Sequence, residues 1–138
     1  MSNHNNNKLQ KICNDIFALN PNIRFAGIVN KMGTLVAGGM RQSIKPMENE
    51  VDSSKLYLES ALRSEMRKDF DKEFGKTIYS FSEREKIKIA SFPLHNDHLL
   101  RVSIEKQEKS HEKIIENTLK IIRDFTAAAA AAAAQDSS

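Results

Sequence analysis

The chain has 138 residues, 40% of them hydrophobic and 28% charged, with a formal net charge of +3 at pH 7; this is the composition of one globular domain rather than of a fibrous or disordered chain. Lysines and arginines are interspersed with acids instead of forming a basic tract, which argues against a nucleic-acid partner, and no apolar run approaches the ~20 residues that cross a membrane. The single cysteine, Cys13, excludes an internal disulfide framework, and with no signal-peptide pattern at the N-terminus the expected compartment is cytoplasmic.

Residues 1–7 are polar and Asn-rich and are expected to be a disordered leader. Residues 8–125 form a single predicted domain, and residues 126–138 are an Ala-rich tail whose helix propensity would let it extend a preceding helix. Within the domain, Leu9, Ile12, Cys13, Ile16 and Phe17 repeat at the spacing of one buried helix face. Asn20-Pro21 stops that helix, because proline disfavours helix in the residue before it. Residues 23–30 and 34–39 read as two strands joined at Gly33, which suits the positive φ of a tight hairpin loop.

Residues 48–74 read as helical with Val51, Leu58, Leu62, Met66 and Phe70 as the buried stripe and Gly75 as the stop; Asn49 and residues 52–54 are all candidate caps, giving one long helix or a short turn followed by a helix. Asp69 falls at the edge of that stripe, as a boundary residue or a buried ion-pair member. Three strands are predicted next, over residues 76–81, 87–93 and 99–105, joined by the charged turn 82–86 and the polar turn 95–98. In the last of them Leu100, Val102 and Ile104 alternate with Arg101, Ser103 and Glu105, so one face should be wet or covered by a partner. A final helix begins near Ser110 and buries Ile114, Ile115, Leu119, Ile121, Ile122 and Phe125. The order is α-β-β-α-β-β-β-α. The short hairpin connections imply an α+β fold with one five-stranded antiparallel sheet covered by helices.

No motif points to catalysis. Cys13 sits on an apolar helix face with no base near it in sequence, no GxSxG is present, and Gly38-Gly39 lacks the lysine of a phosphate loop. The chain is therefore expected to be no enzyme and to carry no cofactor. His95, Asp97 and His98 are the only weak metal candidates; Asn and Asp are also ordinary turn formers, and the segment falls where a turn is needed. The small residues Gly27, Gly38 and Gly39 admit either close packing of a helix or a ligand held between sheet and helix. The latter would make the chain a small-molecule sensor.

The stretches RFAGIVNKMGTLVAGG at residues 24–39, ALRSEMRKDFD at 61–71 and ASFPL at 90–94 resemble an uncharacterised family of small archaeal proteins. The element order, over residues 9–125, is similar to that of the Roadblock / dynein light-chain fold and its profilin-like relatives. The resemblance implies a sheet in order 2-1-5-4-3, a homodimer in which the third strands pair edge to edge and the middle helices touch, and a role as a scaffold or regulator for small GTPases or another cytoplasmic signalling complex. It supplies no catalytic residues. The long charged middle helix departs from the shorter Roadblock one. On this reading the partner surface comprises Tyr57, Ala61, Arg63 and Arg67 on the middle helix and Lys76, Tyr79 and Phe81 on the third strand. Tyr79 and Phe81 share one face of that strand, where ordinary sheet core is the competing explanation.

Overall fold

The computed structural model describes residues 2–136. Helix α1 (Ser2–Phe17) leads into the hairpin β1 (Ile23–Val29) and β2 (Leu35–Met40). Helix α2 (Glu50–Arg67), a 3₁₀ turn (Lys68–Phe70) and the single-turn α3 (Asp71–Phe74) follow, and β3 (Ser80–Glu83), β4 (Ile87–Pro93), β5 (Leu99–Glu105) and α4 (His111–Asp136) complete the chain. The five strands form one antiparallel sheet in the order β2-β1-β5-β4-β3. Fold class, element order and strand order are therefore as expected.

Three boundaries differ from the sequence reading. The polar residues 2–7, expected as a disordered leader, are helical, because a helix nucleated by the buried Leu9, Ile12, Cys13 and Ile16 can propagate through polar residues with little further cost. The helical stretch expected over residues 48–74 breaks at residues 68–70. Its start follows the cap reading: the Asn49 side chain accepts from the Asp52 amide at 2.9 Å, with Glu50 and Asp52 in the first turn. Finally, β3 is shorter and later than residues 76–81, pairing only from Ser80 (opposite Ser91) to Glu83 (opposite Lys88). Continuing that register would bring residue 78 opposite Pro93, which has no N–H to give.

One sheet face carries the main core. Ala26 and Ile28 of β1, Leu100, Val102 and Ile104 of β5, and Ala90 and Phe92 of β4 pack against Leu9, Ile12, Cys13 and Ile16 of α1 and Ile114 and Ile115 of α4. Arg41, just after β2, ties this layer to the α1–β1 turn. Its guanidinium donates to the carbonyls of Ile23 (2.7 Å), Phe17 (2.8 Å) and Asn20 (2.8 Å), and it caps the end of α1 while lying over the Phe17 ring. At the far edge the buried Lys88 donates to the Glu108 carbonyl and lies 3.0 Å from His111 Nδ1. The opposite face is covered by α2 alone, and only in part.

Candidate partner interface

Helix α2 meets the sheet through a narrow seam. Ala61 is buried, and Tyr57 packs its ring 5.8 Å from that of Phe25 on β1. The hairpin loop presses on the neighbouring turn: a Cβ placed on Gly33, whose φ is +80°, would lie 2.6 Å from the Leu58 Cα. Small Ala61 permits this close seat. It also sets the rotation of the helix, and Val51, Leu58, Leu62 and Met66, expected to be the buried stripe, are exposed, as is Phe70 beyond the end of α2. The hydrophobic spacing identified a helix correctly but not its buried side. Residue 62 lies about 100° round the axis from residue 61. Ala61 is thereby taken up by the chain's own packing, while Tyr57 is half-buried against Phe25. Asp69 is exposed as well.

On its other flank α2 leaves the β4–β3 half of the sheet face open. The result is a groove of about 710 Å³ with Ile87 and Ile89 on its floor and Arg63, Arg67, Arg84 and Arg101 among its walls. Arg63 is paired with Glu59 at 3.3 Å, the helix pair expected from four-residue spacing. Arg101, on the central strand β5, is only 8% exposed, and its guanidinium lies over the Phe25 ring at 5.5 Å. Among the described residues no ion pair or side-chain hydrogen bond engages it. Burial pushes its pKa down, opposed by the nearby charges of Glu48, Tyr57 and Glu59. The sequence pattern put Arg101 on a wet or partner-covered face; both faces of β5 are in fact buried up to Ile104.

The sheet ends at β3, whose outer edge has no strand beside it among the described residues. The approach to this edge is apolar and open: Phe74 is 83% exposed and Ile78 69%. Neither was singled out in the sequence, because neither belongs to a periodic run. Lys76 is exposed and precedes the strand. Phe81 stacks on His111 at 4.8 Å and packs against the core, whereas Tyr79 stacks on Phe92 at 6.1 Å and remains 44% exposed. The structure thus brings Arg63, Arg67 and Phe81 to one groove and leaves Tyr57, Ala61, Lys76 and Tyr79 outside its lining.

The remaining candidates resolve into packing and turns. A Cβ on Gly27 would meet the Phe25 ring at 2.6 Å, and one on Gly38 would meet the Ala26 carbonyl oxygen at 2.1 Å and Cys13 Sγ at 2.7 Å. Close packing therefore accounts for these two glycines, whereas nothing lies within 4 Å of a Cβ built on Gly39. Asn96 and Asp97 both have φ near +60° and form the turn between β4 and β5, closed by the His98 amide donating to the His95 carbonyl at 3.4 Å. Asp97 is engaged by Lys68, which holds its carboxyl below the usual range, and the His95 ring stacks on Phe125. No group of three metal-ligating side chains comes together among the described residues. Cys13 is fully buried, and desolvation raises its pKa to about 12, which leaves it unreactive as a thiolate. No described helix is long and apolar enough to cross a membrane.

With this geometry in view, comparison with known proteins places the chain. A family of unknown function, DUF6659, matches residues 1–127. The chain belongs to that family. No curated protein matches it in sequence. Among solved structures, this DUF6659 chain is similar to MglB of Myxococcus xanthus, with a TM-score of 0.65 at 14% identity over 89% of this chain and 90% of the other. It is similar to a Roadblock/LC7 domain from Streptomyces avermitilis, with a TM-score of 0.60 at 9% identity over 86% and 97%. It is also similar to the gliding protein MglB of Thermus thermophilus, with a TM-score of 0.61 at 10% identity over 86% and 90%. At these identities the likeness establishes the fold: this DUF6659 chain has a Roadblock-like architecture.

Proposed function

We propose that this chain is a non-enzymatic interaction module that pairs with a second copy through the β3 edge and scaffolds or regulates a cytoplasmic signalling complex, with a small GTPase as the partner class. The observation that carries the reading is the β3 edge, unpaired among the described residues and approached by the exposed Phe74 and Ile78. An open edge is a template for strand pairing. Antiparallel pairing of two such edges joins two five-stranded sheets into one of ten and gives each outward N–H and C=O a partner. The arrangement is isologous, the commonest symmetry of homodimers. An MglB of this fold occurs in a tetrameric arrangement, which supports self-association as one use of the architecture. The partner class rests on the Roadblock resemblance together with the basic flank of α2, where Arg63 is exposed and Arg67 half-buried.

The test is molar mass by light scattering across a concentration series of the full chain. A concentration-independent dimer supports the reading, and a monomer at every concentration refutes edge pairing. Capture of small GTPases, loaded with either nucleotide, on the immobilised chain then tests the partner class. Failure with both forms removes it.

A further inference from the structure

We propose that the groove between α2 and the β4–β3 half of the sheet is a binding site for a small phosphorylated molecule, anchored by Arg101. Arg101 is an anomaly in a domain otherwise well packed. A guanidinium cannot shed its charge in a protein, and one on a residue only 8% exposed, with Glu48 and Glu59 nearby but neither in ion-pair contact with it, costs stability. A ring face at 5.5 Å offsets part of that cost but fills none of its five N–H donors. Those donors border a groove of about 710 Å³, within the size range of small-molecule sites.

The walls match one ligand chemistry. Arg63, Arg67 and Arg84 border the same space, so four guanidiniums face two carboxylates, Glu48 and Glu59. Both carboxylates are engaged: Glu59 by Arg63, and Glu48 by the Ser53 hydroxyl at 2.8 Å. The surplus positive charge calls for a group with at least two negative charges. Arginine forks recognise phosphate oxygens bidentately. Ser80 and Ser91, directly opposite each other on β3 and β4, add hydroxyl donors on the same wall, and Ile87 and Ile89 offer an apolar floor for the rest of the molecule. Pairing at the β3 edge would bring a second copy beside this groove, because β3 and α2 both line it, so the experiment reads the dimer and the ligand separately.

The experiment uses the full chain, with pyrophosphate and a nucleoside triphosphate as probes and sodium chloride of equal ionic strength as control. The wild type should melt about 5 °C higher with saturating pyrophosphate than with chloride. Arg101→Met should abolish that rise and, by removing a buried unpaired charge, should itself melt about 4 °C above the ligand-free wild type. Arg101→Lys keeps the charge but not the fork, and calorimetry should show pyrophosphate binding to it at least about tenfold more weakly. Equal responses to pyrophosphate, triphosphate and chloride in the wild type overturn the proposal. So does a lower ligand-free melting temperature in Arg101→Met, which would make the guanidinium a structural partner of Phe25. A weakened dimer in Arg101→Met with no pyrophosphate response in the wild type overturns it too, because the second copy would then be the group that answers the charge.

Discussion

Gly33 lies against the backbone of Leu58, so close that a Cβ built on the glycine would stand 2.6 Å from the Leu58 Cα. The glycine therefore has two functions. It supplies the +80° φ of the hairpin loop, and its missing side chain lets α2 settle onto the sheet. Gly33→Ala should cost about 3 kcal/mol, the sum of backbone strain and a contact that neither backbone can relieve. Urea denaturation measures the loss; a change below about 1 kcal/mol would show that α2 is free to lift.

Cys13 and Gly38 form a similar contact on the opposite face, with the thiol directly over the glycine. With the thiol fully buried and its pKa raised to about 12, a thiol reagent should label the native protein only at the rate of unfolding. Gly38→Ala should destabilise by about 3 kcal/mol and speed labelling in proportion. Rapid labelling of the wild type would contradict this packing.

Glu108 accepts hydrogen bonds from the Asn22 side chain and the Ser110 amide, both at 2.9 Å, and these hold its carboxyl at about 2. A depressed folded-state pKa contributes stability that is present above the unfolded carboxylate value near 4.5 and is lost as pH falls through the folded value. The wild type should therefore lose stability between about pH 4.5 and pH 2. Glu108→Gln should be less stable at neutral pH and show a shallower decline over that window. Parallel pH profiles for the two proteins would remove Glu108 from the acid response.

Phe74 and Ile78 stand beside the open β3 edge with little of their surface covered. Phe74→Asp and Ile78→Asp should leave monomer stability within about 0.5 kcal/mol, since both side chains are exposed and Phe74 stacks only on the likewise exposed Phe70. Each should weaken self-association by at least about tenfold in sedimentation equilibrium, by setting like charges near the two-fold seam. A dimer indifferent to both would place the contact elsewhere. Charge reversal at Arg63 and Arg67 should reduce GTPase capture and leave the fold intact.

Leu62 and Met66 separate the two readings of α2. Buried in a stripe, each would lose about 2–5 kcal/mol on truncation; exposed as they are, Leu62→Ser and Met66→Ser should each change stability by less than about 0.5 kcal/mol. Ala61→Leu, one position away, should cost about 2 kcal/mol by overfilling the seam. Thermal and urea unfolding of the three variants distinguish the rotations.

Sequence periodicity was enough to predict the element order, the antiparallel hairpins, the α1–α4 core and the turn at Asn96-Asp97, because each depends on residues within about one turn or one strand of each other. The outer limit of β3 was not legible. It depends on the proline that comes opposite once the register with β4 is set. The glycines were legible as tight spots but not as closed ones, since closure at Gly38 requires Cys13, which is distant in sequence, to arrive from another layer.

By itself the sequence determined what kind of domain this is: local hydrophobic period, turn residues and caps specify helices and strands before any of them meet. Only the tertiary structure decided which surfaces are left over. The small Ala61 and the glycine at 33 seat α2 over one half of the sheet, and that single placement exposes an apolar stripe, opens the groove and leaves Arg101 buried without an ion pair or side-chain hydrogen bond among the described residues. Burial is a property of what packs overhead, and a residue's own neighbours in sequence cannot report it.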